Sequence, residues 1–431
     1  MTVLPPALDS SVTDPTRPTG WGWLALRTGL AVAGLSRRHG LGGGSIIGGR
    51  VTMAMDPKAL RRLAVGRRVV LVTGTNGKTT TSHMIAAALR SLGSVAHNAS
   101  GSNMADGAVA ALAEDLDAEW AVLEVDELHL FRVAEQLDPF AMVILNLTRD
   151  QLDRALEVRA IATAIGQAIS AHPATMVFAN ADDPMTVWAA ASAVRPVWVS
   201  AGSAWRNDTM GCPACGRQLS EAATGWACDC GLTRPRPSWW FDTTDMSSGT
   251  GACTTHGPGF STGLTVGLPG QVNLGNAVMA LAVAVSAGVP AATAVAKVGT
   301  LDRVAGRYAR IRHGRHTLRL LLAKNPAGWS ATMSMLTAIR PLLIAVNARE
   351  ADGRDTSWLW DVEFERLATR PVSASGERAA DLGVRLSYAD IPHHTAADPL
   401  EALRQLPDGD VDVVANYTAF HALLRRLDSR G

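Results

Sequence analysis

Short apolar runs alternate with longer stretches of helical period from Val69 onward. VVLV (69–72) is followed by a helical TTSHMIAAALRSL (80–92), then WAVLEV (120–125), AMVILNL (141–147) and ATMVFAN (174–180). Runs of this length with few polar residues suit strands covered on both faces, and the helical stretches between them argue a parallel sheet with helices packed against it. The alternation stops at the polar CPACGRQLSEAATGWACDCGLTRPRP (212–237). After the helical LPGQVNLGNAVMALAVAVSAG (268–288) it resumes with LRLLLA (318–323), PLLIAV (341–346) and VDVVAN (411–416). The pattern predicts an α/β chain: a large domain over 45–315 with a Cys-rich insertion at about 206–237, and a smaller α/β domain over 316–431.

Residues 1–44 form an N-terminal tail and helix. The first twenty residues are rich in Pro, Ser and Thr, as in a mobile tail, and the Gly-rich GLGGGSIIGGR (40–50) suits a linker. Between them, WGWLALRTGLAVAGLSRRHG (21–40) has amphipathic helical spacing. Arg27 interrupts its apolar run, which falls short of the roughly 20 apolar residues a membrane-spanning helix needs, and no small-residue cleavage site follows. A helix packed on its own domain is expected, with a membrane-surface helix as the alternative.

Composition narrows the class. Forty Lys and Arg balance thirty-nine Asp and Glu for a net charge of +1, which excludes a basic nucleic-acid binder and an acidic disordered tail. Five cysteines in 431 residues are too few for a disulfide scaffold. Four of them, Cys212-x2-Cys215 and Cys228-x-Cys230, lie close together, each pair followed at once by a glycine (Gly216, Gly231). That spacing suits a closed tetrahedral zinc site in a reducing, cytoplasmic compartment, with a redox pair as the alternative. Cys253 is expected to be a buried thiol.

The stretch TGTNGKTTT (73–81) carries the most specific chemistry. An apolar strand enters a turn containing Gly74 and Gly77, and Lys78, Thr79 and Thr80 open the next helix. Glycines let backbone N–H groups approach phosphate oxygens, the helix N-terminus adds positive potential, a lysine meets the outer phosphates and a threonine hydroxyl can ligate Mg²⁺. Gly74, Thr75, Asn76, Gly77, Lys78, Thr79 and Thr80 are therefore the expected ATP site. The usual leading Gly of an eight-residue phosphate loop is Val72 here, leaving the shorter form. Glu124, at the end of the WAVLE strand, is the expected Mg²⁺ carboxylate. Asp126 and Glu127 either share that work or face solvent.

With GQVNLGNAVMALA (270–282) added, the chain resembles the Mur ligase superfamily. GSNMADG, LEVDE, NLTRDQLDR, NADDP, the CxxC…CxC ribbon, LAKNPAGW, ADGRDTSWLWDVEFE and ANYTAF, in this order, resemble its MurT group. The resemblance implies a Mur-type central ATPase domain with an inserted four-cysteine zinc ribbon and a Rossmann-like C-terminal domain. It implies ATP-dependent amidation, through an acyl phosphate, of the α-carboxylate of D-glutamate in the lipid II stem peptide. Ammonia would come from a GatD-type glutaminase subunit, and the work would be done at the inner face of the cell membrane. By the same resemblance Lys78 and Thr79 hold ATP and Mg²⁺, Glu124 holds the metal, and Asn273 and Asn276 lie near the adenine. Cys212, Cys215, Cys228 and Cys230 hold zinc, and Asp355 completes a Cys-His-Asp arrangement whose other members lie on the partner. Taken alone, Asp355 in DGRD reads as a turn residue, and Asp352 is the likelier of the two for that service. The sequence differs from the superfamily pattern at GRYAR, around Arg307 and Ala309, and at Arg349, while Lys324 is a candidate nucleotide contact. Two rivals remain: a ligase that adds an amino acid, and a zinc-containing nucleotide-dependent scaffold without catalysis.

Overall fold

The computed structural model describes residues 20–39, 44–149, 158–202, 210–223, 225–246, 250–301, 307–336, 340–367 and 370–428. The expected N-terminal tail, residues 150–154 of NLTRDQLDR and Gly306 of GRYAR lie outside them.

The N-terminal segment contains three helices, α1 (Trp21–Arg38), α2 (Ser45–Met55) and α3 (Ala59–Ala64). The linker expected at 40–50 is overturned in its second half, because α2 starts at Ser45. Its glycines serve close packing. A Cβ on Gly48 would lie 2.8 Å from both the Ala33 Cβ and the Gly29 carbonyl, and one on Gly49 would overlap the Asp106 carbonyl.

Six parallel strands follow with helices between them: β1 (Arg68–Thr73), α4 (Lys78–Leu89), β2 (Val95–His97), α5 (Ala105–Glu114), β3 (Trp120–Glu124), α6 (Leu130–Leu137), β4 (Ala141–Ile144), α7 (Val158–Ala171), β5 (Met176–Asn180), α8 (Pro184–Ala190) and β6 (Pro196–Val199). Their order is β2-β3-β1-β4-β5-β6. The chain leaves β1 towards one side of the sheet for β2 and β3, then crosses to the other side for β4. The carboxyl end of β1 is therefore the topological switch point, where open α/β sheets bind ligands. The uninterrupted apolar runs are explained by burial on both faces: Val69 and Leu71 join one core, Val70 and Val72 the other.

Among its described residues the Cys-rich stretch contains only the short hairpin β7 (Ser220–Ala222) and β8 (Gly225–Ala227). An antiparallel sheet of β9 (Trp240–Asp245), β10 (Gly251–Gly257) and β11 (Phe260–Val266) leads to α9 (Gln271–Ser286) and α10 (Ala291–Gly299). α9 is buried without a break from Leu274 to Ala284 and fills the second face of the central sheet. Cys253 is buried there, and burial pushes its thiol up to about 11.

A second six-stranded sheet has the order β12-β13-β17-β14-β15-β16. Its elements are β12 (Tyr308–His313), β13 (His316–Leu322), α11 (Pro326–Met335), β14 (Leu342–Ala345), β15 (Val372–Ser375), α12 (Ala379–Tyr388), β16 (His393–Thr395), α13 (Pro399–Arg404), β17 (Gly409–Ala415) and α14 (Tyr417–Asp428). All neighbours are parallel except the β12–β13 hairpin. The sheet thus begins at Tyr308, one strand before His316. Alternating exposure in β12 hides its strand character from a search for apolar runs.

Candidate active site

The loop between β1 and α4 is tied down from outside itself. Gly74 and Gly77 have φ of 131° and 86°, conformations that an L-residue with a side chain rarely adopts. A Cβ on Gly77 would come within 2.6 Å of Asn276 Oδ1. The Thr75 N–H donates to the Asn146 carbonyl (2.8 Å), and Asn76 and Asn146 exchange a pair of hydrogen bonds at 2.9 Å, backbone to side chain in both directions. The Thr75 hydroxyl donates to the Thr148 carbonyl at 3.0 Å. The loop's amides are held in place by the segment after β4.

Lys78 is buried at the first position of α4. Its Nζ donates to the Gly74 carbonyl (2.5 Å) and pairs with Glu127 Oε2 (3.1 Å). Glu127 is equally buried, so the solvent-facing alternative fails: its carboxylate positions the lysine. Asp126 accepts from the Leu128 N–H at 3.1 Å and shapes the turn.

Thr79 donates its hydroxyl proton to Glu124 Oε2 at 2.7 Å, which brings the two expected Mg²⁺ ligands together at the switch point. Six oxygens around Mg²⁺ at 2.0–2.1 Å have neighbours about 2.9 Å apart, so this pair fits two adjacent vertices. Asn98, just after β2, fixes Glu124, accepting from its N–H (2.8 Å) and donating to its carbonyl (2.8 Å). From the far side Arg307 Nη2 donates to Thr79 Oγ1 at 2.9 Å, across 228 residues of sequence. Beside this cluster the His83 and His97 rings meet edge to face at 4.5 Å. Burial, with help from the charges of His83 and Arg90, pushes His97 down to about 3.

A cleft of about 120 Å³ runs from Asn76, Gly77 and Thr80 past Asn273 and Asn276 to Arg307, Tyr308 and α11. Asn273 donates to the Pro269 carbonyl at 2.7 Å, and its Oδ1 accepts from Asn276 at 3.3 Å. Asn325, the N-cap of α11, accepts from the Gly328 N–H (2.8 Å) and from Asn76 Nδ2 (3.2 Å), a second bond between the two sheets' domains. Asn98, Asn146 and Asn325 carried no site role in the sequence, Arg307 was noted there only as a departure from the superfamily pattern, and Glu127 only as an alternative metal carboxylate. An asparagine with a partner 70 or 249 residues away carries no local signal.

The four ribbon cysteines converge, their Sγ atoms all within 4.8 Å of one another. Cys212 and Cys230 are 3.6 Å apart and Cys215 and Cys228 3.5 Å. Four sulfurs at 2.3 Å from a zinc ion stand about 3.8 Å apart, so the arrangement fits a tetrahedral centre with small adjustments. Left-handed glycines at 216 and 231 turn the chain after each pair. The ribbon is anchored to the central sheet by the Arg234–Asp182 ion pair (2.7 Å) and by Trp226 Nε1 donating to the Ala181 carbonyl (3.3 Å).

Asp355 stands apart, exposed before the short 3-10 helix Ser357–Asp361. Its carboxylate accepts from the Ser357 N–H at 2.8 Å, which lowers its pKa. Five residues on, Trp360, 55% exposed, packs edge to face with Tyr388, 74% exposed. Asp352, by contrast, is buried, accepts from the Thr418 N–H (2.8 Å) and hydroxyl and from the Arg349 N–H (3.2 Å), and is a structural turn residue. Arg349 pairs with Glu377 on the surface at 2.7 Å.

Comparison with known proteins bears on family and fold. Residues 72–210 match the family described as Mur ligase middle domain, and residues 322–420 the family described as MurT ligase C-terminal. The chain is 30% identical to the lipid II isoglutaminyl synthase (glutamine-hydrolyzing) subunit MurT of Streptococcus pneumoniae, over 90% of this chain and 94% of that protein. It is 28% identical to the protein of the same name from Staphylococcus aureus, over 94% and 98%. Among solved structures it is similar to a pseudomurein peptide ligase type C from Methanothermus fervidus (TM-score 0.68, 18% identity, 85% of this chain and 79% of that one). It is also similar to the MurF ligase of Thermotoga maritima in complex with ADP (TM-score 0.64, 16% identity, 87% and 84%).

Proposed function

Because the chain belongs to the MurT family of Mur ligases, we propose that it amidates the α-carboxylate of D-glutamate in the lipid II stem peptide, as the ATP-using subunit of a glutamine-dependent synthase. It is a ligase of peptidoglycan synthesis. The carrying observation is the convergence of Lys78, Thr79 and Glu124 at the β1 switch point, next in sequence to Gly77 and Thr80, which line a cleft with Asn273 and Asn276.

ATP is a substrate here. The phosphate-loop amides and Lys78 would bind its outer phosphates, with Lys78 turning from Glu127 towards them, and Asn273 and Asn276 would face the adenine. Thr79 and Glu124 would hold Mg²⁺, which supplies charge neutralisation on the transferring phosphoryl group. A glutamate oxygen displaces ADP from the γ-phosphorus to form an acyl phosphate; ammonia then attacks the acyl carbon and phosphate leaves, giving D-isoglutamine. Carboxylates are poor electrophiles, and ammonium at neutral pH is no nucleophile, so activation and local delivery of ammonia are both needed.

The delivery calls for a partner. Among the described residues no Cys-His pair forms a glutaminase centre, while Asp355 is exposed, and the same C-terminal domain leaves the Trp360–Tyr388 pair uncovered. We assign this face to a GatD-type glutaminase, with Asp355 orienting a histidine that activates the partner's thiol. Cys212, Cys215, Cys228 and Cys230 would hold a structural zinc ion that staples the ribbon. The complex would work in the cytoplasm at the inner face of the cell membrane.

The test is ATP-dependent conversion of lipid II by the purified chain with its glutaminase and glutamine, followed by mass spectrometry. Loss of 1 Da from the stem peptide, as OH is replaced by NH₂, supports the assignment. Addition of an amino acid without any glutaminase returns the chain to ordinary Mur-type ligation, and absence of any product leaves a scaffold.

A further inference from the structure

α1 is built the wrong way round for a helix that merely packs on its own domain. At about 100° per residue, its buried positions Gly22, Ala25, Leu26, Gly29, Ala33 and Ser36 occupy one narrow face, and five of the six are small. The outward arc carries Trp23, Leu24, Leu30 and Leu35 together with Arg27, Arg37 and Arg38. Ordinary amphipathic helices bury their large apolar residues and expose the polar ones.

Close packing explains the small face. Gly29 meets Gly48 and Thr52 of α2, where any Cβ would overlap the Thr52 hydroxyl, and Trp21 Nε1 donates to the Met55 carbonyl at 2.8 Å. The hairpin is thus a rigid plate whose outer surface keeps its apolar residues. On α2 that surface adds Ile46 and Ile47, 48% and 47% exposed. Of nineteen exposed large apolar side chains among the described residues, seven lie within Trp21–Met55, about a twelfth of the chain.

The charge of the same segment selects the occupant. From Trp21 to Met55 there are four arginines and no Asp or Glu, in a chain whose overall balance is +1; Arg50 pairs with Asp106 at 3.0 Å, and Arg27, Arg37 and Arg38 belong to α1. Arg27 lies over the Trp23 ring, 4.4 Å from its centroid, and Arg37 and Arg38 end α1. Apolar side chains interspersed with tryptophan and arginine, without a carboxylate, match the boundary between acyl chains and anionic headgroups. No helix of the described residues is long and apolar enough to cross a membrane, so the hairpin would lie on the surface.

We propose that the α1–α2 hairpin is a membrane-docking plate that seats the protein on an anionic lipid bilayer through Trp23, Leu24, Leu30, Leu35, Ile46 and Ile47, with Arg27, Arg37 and Arg38 on the headgroups. The lipid-linked substrate assigned above gives the docking its purpose, and the inference rests on that reading only for this purpose. Its observations are confined to the hairpin.

Sedimentation of the full chain with vesicles tests it without any lipid II. Phosphatidylcholine vesicles containing phosphatidylglycerol should pellet the protein at least tenfold more strongly than phosphatidylcholine alone, and raising the salt from about 0.1 M to 1 M should reverse this. Replacing Arg27, Arg37 or Arg38 by glutamine should weaken binding about fivefold each. Leu24→Ser with Leu35→Ser should abolish it while the melting temperature holds, since both side chains are exposed. Unchanged vesicle binding by these variants, or no binding by the wild type, overturns the proposal. So does loss of glutaminase co-purification without loss of lipid binding, which would make the face a protein interface. If lipid binding holds while lipid II is not amidated, the catalytic reading falls and the docking plate stands.

Discussion

The phosphate-loop cluster and the Asp355 corner hold comparable chemistry in opposite ways. Lys78, Thr79 and Glu124 are buried, and each is fixed by a residue outside its own turn: Glu127, Arg307 and Asn98. Asp355 is exposed and held by the N–H of Ser357 two residues on. The first region carries its own support, which suits the proposed acyl activation. The second is held only locally, which suits the proposed role of orienting a histidine of the partner.

The largest effect expected from this contrast is at Lys78. Lys78→Ala should lower lipid II amidation by on the order of a thousandfold, equally with glutamine or with ammonium chloride as nitrogen source. Substantial rescue by ammonium would show that the phosphate loop does not carry the chemistry. Asp355→Asn should separate the two regions: turnover with glutamine falls roughly 10²- to 10⁴-fold, while turnover with ammonium stays near wild type. Equal losses with both sources would place Asp355 in the activation step and erase the distinction.

Smaller effects probe how the first region is held. Glu127→Gln leaves the Lys78 ammonium buried without its carboxylate, so stability should drop by about 3 kcal/mol, read by urea denaturation. A change under about 0.5 kcal/mol would mean that the pair is a surface-like contact. His97 gives a pH signature. Its pKa falls from 6.5 to about 3 on folding, so below pH 6.5 the unfolded chain binds the extra proton and the folded chain does not. Stability should fall as pH drops from 6.5, by about 2 kcal/mol at pH 5, and His97→Gln should remove that part of the slope. If both proteins follow the same curve, His97 is not its source.

Much of this was legible in the sequence because it is written locally. A strand running into GTNGKTT, a glutamate closing a buried strand and two cysteine pairs twelve residues apart each place their chemistry within a few positions. What escaped is written over long range. Asn146 and Asn325 support the phosphate loop from 70 and 249 residues away, and an amide side chain looks the same whether it caps a helix or spans two domains. The misread linker at 45–50 has a different cause. Glycine signals flexibility when nothing is known of its neighbours, yet Gly48 and Gly49 are there because other backbone occupies the space a side chain would need. Strand β12 escaped because its inward and outward residues alternate weakly at the sheet edge.

The hydroxyl of Thr79 has a further consequence, in the language of linked equilibria. Its proton goes to Glu124 and it accepts from Arg307, which arrives from the far domain. A divalent cation seated on that oxygen, as proposed above, would repel the guanidinium, so metal and Arg307 would compete for one atom. Whatever free energy the metal gave up to displace Arg307, this contact between the domains would give up in return. Charging the proposed centre and loosening one of its ties to the second sheet would then be linked, with the oxygen of a single threonine as the fulcrum.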